Sequence, residues 1–282
     1  MRVVAANGQR LATESFGHPG DPAMLLIMGA TESMLGWPDD FCTMLAGHGF
    51  HVIRYDHRDT GGSTTLPPGT ARYTVEDLAA DARAVLDGHG LARAHLVGMS
   101  LGGYLAQMLA VTDPARVLSL TLIASEPLGW DSPALPHMSD DILAHFGGLA
   151  TLDWDDLAAV RSFLLRTREL CAGRAYPFDR AAEEDRIDRI LARTSSLPSM
   201  FNHASLGGEK DWTGRFRDFR CPVLVIHGSD DPVLPSENGQ ALAGNIPGAM
   251  IEVLTGAGHE LPAPLLPRIA GRIAHHARQA NP

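Results

Sequence analysis

The chain has 282 residues, 45% of them hydrophobic and 20% charged, and 33 Asp and Glu against 23 Lys and Arg set a formal net charge of −10. This is enough apolar material for one α/β domain carrying an insertion, and the acidic balance argues against a nucleic-acid groove or an anionic membrane surface, both of which need a basic face. No apolar stretch approaches the roughly 18 residues of a membrane span, the opening MRVVAANGQRLATESFG lacks the layout of a secretion signal, and Cys42, Cys171 and Cys221 form no CxxC pair. A cytoplasmic protein with free thiols is expected, without zinc site or disulfide framework.

Two short strand-like runs flank an Asn7-Gly8 turn. Met24–Met28 is a continuous apolar run bounded by Pro22 and Gly29, the pattern of a buried strand. Helical spacing follows over 38–49, a strand over Phe50–Tyr55, and then the turn HRDTGGST. Val75–Leu86 is amphipathic, with Leu78, Ala79, Ala82, Val85 and Leu86 on one face. Ala94–Gly98 and Val117–Ala124 read as strands around a Leu101–Val111 helix. This alternation predicts a mostly parallel sheet with helices on both faces. The rhythm breaks from Glu126 to Phe216, a helix-rich stretch without a clear strand. It resumes with strands at Pro222–His227 and Met250–Leu254 and a last helix over Leu265–Arg278. Residues 1–125 and 217–282 are therefore expected to form one core, and residues 126–216 a helical cap inserted over one end of the sheet.

Gly98-Met99-Ser100-Leu101-Gly102 fits the pattern G-x-S-x-G between a strand and a helix. A turn this tight strains the serine backbone, and the flanking glycines remove Cβ atoms that would collide with neighbouring elements. The hydroxyl is thereby presented at a helix start, where free N–H groups and the helix dipole favour negative charge.

A serine hydroxyl needs a base, and the base an orienting acid. VLVIHGSDDPVLP ends a strand in two carboxylates, and VLTGAGHELP ends the next in a glycine turn and His259. His259 is the expected base and Asp231 the acid, with Asp230 left to the turn. Among the other histidines, His227 is expected to be structural, His275 and His276 solvated, and His137 and His203 available to line a pocket. The Leu101 amide and, after the first buried strand, the Ala30 amide are expected to hold an oxyanion. Leu128, Trp130, Phe146, Phe163 and Phe201 are candidate walls of a substrate pocket, each also able to serve as core of the insertion. Arg58, Asp59 and Ser63 of HRDTGGST read as scaffold, and Glu183, Glu184 and Asp185 as a solvated helix face.

These residues resemble the α/β-hydrolase family over essentially the whole chain, with Gly98–Gly102, Asp231 and His259 at its elbow, acid and base positions. One departure is Met28-Gly29 where many members carry His-Gly before the oxyanion residue. The stretches LGWPDDF, HVIRYDHRDTGGSTT, LAADARAVLDGHG and RAHLVGMSLGG are similar, more narrowly, to the aclacinomycin methylesterase group of polyketide-tailoring hydrolases. The resemblance implies an α/β-hydrolase fold and hydrolysis of a small-to-medium, largely apolar carboxylic ester through an acyl-enzyme, with no metal or organic cofactor and a small-molecule ester as partner. A lactonase or C–C bond hydrolase would use the same three residues. A non-catalytic ligand-binding member of the fold would have no need of all three together.

Overall fold

The computed structural model describes residues 1–280. Eight strands form one sheet: β1 (Arg2–Ala6), β2 (Gln9–Phe16), β3 (Ala23–Ile27), β4 (His51–Tyr55), β5 (Ala94–Met99), β6 (Val117–Ile123), β7 (Val223–Gly228) and β8 (Met250–Leu254), in the order β1-β2-β4-β3-β5-β6-β7-β8. β1 pairs with β2 and β2 with β4 antiparallel, and every later pairing is parallel. Parallel strands covered on both faces read as unbroken apolar runs, and β3, AMLLI, is buried throughout.

Because side chains alternate across a strand, β3 feeds two cores. Leu25 and Ile27 pack with α2 (Val75–Gly88) and α3 (Leu101–Thr112), whereas Met24 and Leu26 pack with α1 (Asp39–Gly47) and the last helix, Leu266–Gln279. α2 starts at a reciprocal cap, in which the Thr74 hydroxyl accepts from the Asp77 amide and the Asp77 carboxylate accepts from the Thr74 amide.

Between β6 and β7 lie α4 (Asp140–Gly147), α5 (Leu157–Cys171), α6 (Arg180–Arg193) and a 3₁₀ segment at Pro198–Ser205, with no strand among the described residues. Ser139, Asp156 and Asp179 cap the three helices, each side chain accepting from a first-turn amide. After β7 comes α7 (Glu237–Asn245), which the sequence reading did not include, and the chain ends in α8, the Leu266–Gln279 helix. One expectation is corrected in α8: His275 is exposed, but His276 is buried, its Nε2 donating to the Leu120 carbonyl at 3.0 Å. It lies on the same stripe as Ile269 and Ile273, which packs against the sheet.

Candidate active site

β5 and α3 meet at Ser100, whose φ of +53° is one of five positive values at non-glycine residues of the described chain. Such a conformation persists only where its surroundings over-determine it, and here they do. The Ser100 amide donates to the Ile123 carbonyl at 2.9 Å, and its own carbonyl accepts from the Ser125 hydroxyl at 3.0 Å. A Cβ on Gly98 would come within 2.3 Å of the Gly102 carbonyl oxygen, and one on Gly102 within 2.0 Å of the Ile27 carbonyl oxygen. Any side chain at either position would push the turn off the sheet.

Asp231 and His259 leave the ends of β7 and β8 and meet, Asp231 Oδ2 lying 2.8 Å from His259 Nδ1. The other Asp231 oxygen accepts from the amides of Val233 (2.9 Å) and Leu234 (2.8 Å), which fixes the carboxylate plane. Burial works against ionisation of Asp231. The two imidazoles that face it, His259 first and His227 at 3.5 Å, outweigh it, holding the carboxyl well below the usual carboxylate range. With Nδ1–H donated to Asp231, the His259 Nε2 lone pair is left free to take a proton. His227 is fully buried and donates from Nε2 to the Leu234 carbonyl at 2.7 Å, a bracing role for the same turn.

The His259 loop rests on the end of α5. The His259 amide donates to the Cys171 carbonyl at 2.8 Å, and the Gly173 amide donates to the Glu260 carboxylate at 2.8 Å. Across the sheet edge, Gly29 abuts Ser100, since a Cβ there would lie 3.2 Å from the Ser100 Cβ. Ala30 follows. Its amide and that of Leu101, the first residue of α3 and so without an intrahelical partner, donate to no described group.

Ser100 and His259 line one cavity of about 400 Å³, walled by Met28, Met99, Leu143, Phe146, Leu149 and Phe201. The Ser100 hydroxyl makes no hydrogen bond to a described side chain. A second, more polar cleft of about 570 Å³ shares Ala30, Ser100, Met138 and Val233 with the first and runs past Glu126, His203, Lys210 and Asp211. Among the described residues, no three His, Cys, Asp or Glu side chains are grouped to hold a metal.

The five candidate wall residues separate. Phe146 and Phe201 line the cavity. Leu128 does not: it is fully buried in the core on the α2–α3 side, and Trp130 packs against that core, 5.6 Å from the Phe216 ring. Phe163 lies behind the wall, stacked on His145 at 4.1 Å. The sequence reading passed over Glu32 and Arg168, an ion pair at 2.6 Å that lines the mostly apolar cavity. Two charges 136 residues apart carry no local signal of their meeting. Arg58, Asp59 and Ser63 brace the turn after β4, Arg58 by two bonds to the buried Asp81 at 2.7 and 2.6 Å. Glu183 is engaged by Arg186 and lies near Arg168, not simply solvated.

This fold and this arrangement define a class. A family profile described as the alpha/beta hydrolase fold matches residues 22–262, and the chain belongs to that family. It is 34% identical over 298 residues to the rhodomycin D methylesterase of Streptomyces peucetius, with 99% of each chain covered. It is 28% identical over 255 residues to a 2-hydroxy-6-oxononadienedioate/2-hydroxy-6-oxononatrienedioate hydrolase of Burkholderia vietnamiensis, covering 85% of this chain and 81% of the other. Among solved structures, an esterase from Exiguobacterium antarcticum superposes with a TM-score of 0.80 at 18% identity, 98% of both chains being covered, a likeness of fold. No helix among the described residues is long and apolar enough to cross a membrane.

Proposed function

We propose that this carboxylic ester hydrolase works through Ser100, His259 and Asp231 on an ester whose larger part is apolar, a polyketide methyl ester being the leading candidate. The observation that carries the reading is the cavity of about 400 Å³ that brings an apolar wall to Ser100 and His259, with Asp231 2.8 Å behind the imidazole. The full-length likeness to a methylesterase supports the substrate class. Residues 126–216 are then the cap over a core of residues 1–125 and 217–282. Three unpaired cysteines fit work in a reducing compartment, the cytoplasm.

In this mechanism His259 Nε2 takes the Ser100 proton as Oγ attacks the ester carbonyl. The Ala30 and Leu101 amides receive the oxyanion, and Asp231 stabilises the imidazolium and holds its tautomer. The imidazolium protonates the departing alcohol. A water activated by the same ring then attacks the acyl-enzyme, releasing the acid and restoring Ser100.

The test is hydrolysis of a p-nitrophenyl ester series and a polyketide methyl ester by the wild type and Ser100→Ala. A loss of at least about a thousandfold in a folded Ser100→Ala protein is expected. Full activity in the variant overturns the triad. Wild-type inactivity on every ester, with turnover of a vinylogous diketone, moves the reading to C–C cleavage, the reaction class suggested by the Burkholderia relative's name.

A further inference from the structure

The segment that carries Ala30 is suspended at both ends by histidines. At one end His57 Nε2 lies 2.9 Å from the Met28 carbonyl, to which it donates. At the other, the Thr31 amide donates to His203 Nδ1 at 3.0 Å. Accepting at Nδ1 obliges the neutral His203 ring to carry its proton on Nε2, and that N–H donates to the Arg58 carbonyl at 2.9 Å. Both rings are buried, with centroids 5.8 Å apart edge to face. The two sides come from different parts of the chain, His57 from the turn after β4 and His203 from the 3₁₀ segment between α6 and β7.

Thr31 needs such an anchor. It is a β-branched residue at φ +63°, a conformation that costs energy and survives only under outside constraint. Ala30 sits between the two anchored residues, and Gly29 abuts Ser100. The angle at which the Ala30 N–H meets an oxyanion is therefore set by bonds at Met28 and Thr31, with Met28 itself supplying no polar side chain.

We infer that His203 is a positioning residue for the oxyanion site, acting through its bond to the Thr31 amide, so that the segment between β6 and β7 supplies part of the catalytic geometry as well as walls. The inference rests on the reading of Ala30 as an oxyanion donor. Both rings act as neutral groups, and burial, the leading cause at each, holds them below the usual histidine range. A neutral imidazole can accept from Thr31, whereas an imidazolium cannot.

Two substitutions separate this role from simple tethering. Asn places an acceptor near the position of Nδ1 and gives up the Arg58 contact. Gln places a donor near Nε2 and gives up the Thr31 acceptor. His203→Gln is expected to lower kcat by about tenfold to a hundredfold, below the full loss of an oxyanion donor, with KM within about twofold. His203→Asn is expected to stay within about threefold of wild type on the same scale. The companion readout is an aryl trifluoromethyl ketone, whose adduct with Ser100 carries the oxyanion and is followed by fluorine NMR. Its affinity should fall in His203→Gln by the same factor as kcat. Equal kcat and equal adduct affinity in the two variants overturns the inference, as does a loss that tracks melting temperature or KM alone. A wild-type protein that forms no Ser100 adduct refutes the serine mechanism itself. An adduct in wild type that is equally tight in His203→Gln refutes only the role given to His203.

Discussion

The two ends of the segment between β6 and β7 are built differently. From α5 to the 3₁₀ segment, polar bonds reach the core at many points: Arg168 to Glu32, Cys171 to His259, Arg189 to Asp39, Arg193 to Asp56 and Asn202 to Asp59. Around α4 the chain instead presents apolar side chains outward, with Met138 38% and Leu143 54% exposed. Its ties are fewer, among them the Ser139 amide to the Pro232 carbonyl and the Asn238 amide group to the Pro136 carbonyl. Directional bonds suit the part that must hold catalytic loops in register. Apolar contact, which has no preferred angle, suits the part that the proposed reading sets against substrate. Rigidity and tolerance are thus divided along one stretch of chain.

The difference can be broken hardest at Asp56. This carboxylate is fully buried and accepts from the Met34 and Gly62 amides as well as Arg193. Arg193→Met leaves it without its cation and is expected to cost about 3–5 kcal/mol, read by urea unfolding. A change below about 1 kcal/mol would mean that α6 is not docked through this pair.

Gly173→Ala comes next. A Cβ there would lie 2.1 Å from the Gly256 carbonyl oxygen, against backbone that cannot swing away. Overpacking of this kind costs about 1–3 kcal/mol, and because the His259 loop shares the contact, kcat should fall with it. Unchanged kinetics would separate the α5 end from the work of His259.

Acid probes the same anchored side. Burial, with the neighbouring His203 ring, drives His57 down to about 3. An unfolded histidine titrates near 6.5, so in the window between these values the unfolded chain binds a proton that the folded chain refuses. Stability is present above the window and falls as pH drops through it, by about 1.4 kcal/mol per unit for this ring. In unfolding free energies measured between pH 7 and 4, the slope in His57→Asn should be smaller than in wild type by this one proton's share.

The smallest effect on stability belongs to α4. Leu143→Ser removes an exposed side chain and should shift stability by no more than about 0.5 kcal/mol, while raising KM for a bulky apolar ester more than for an acetate. A matching rise for both would place Leu143 outside the path of the substrate.

The elbow was legible because its cause is local: Gly98 and Gly102 flank one strained serine, and the collisions they avoid involve backbone. The strands were legible as apolar runs ending at glycine, proline or a charged turn, with ends that moved by a residue or so. α7 was not, because ENGQALAGN carries two glycines and few apolar positions, and it is held by packing on β7 rather than by propensity. The aromatic residues of 126–216 could not be sorted by type. Phe146 and Phe163 belong to neighbouring helices, yet one faces the cavity and the other stacks on His145. Which side faces inward is set by ion pairs such as Arg168 to Glu32 that no window of sequence spans. His276, by contrast, lay on a readable stripe with Ile269 and Ile273.

The bond from the His259 amide to the Cys171 carbonyl bears on how specificity could be re-engineered. Grafting residues 126–216 from another family member as a single module would also replace the ledge under His259, the proposed base. A workable chimera would exchange the α4 region and its flanks while retaining the host's own chain from Arg168 to Ser205. New substrate range would then be sought in the outward apolar rim, with the catalytic register inherited intact.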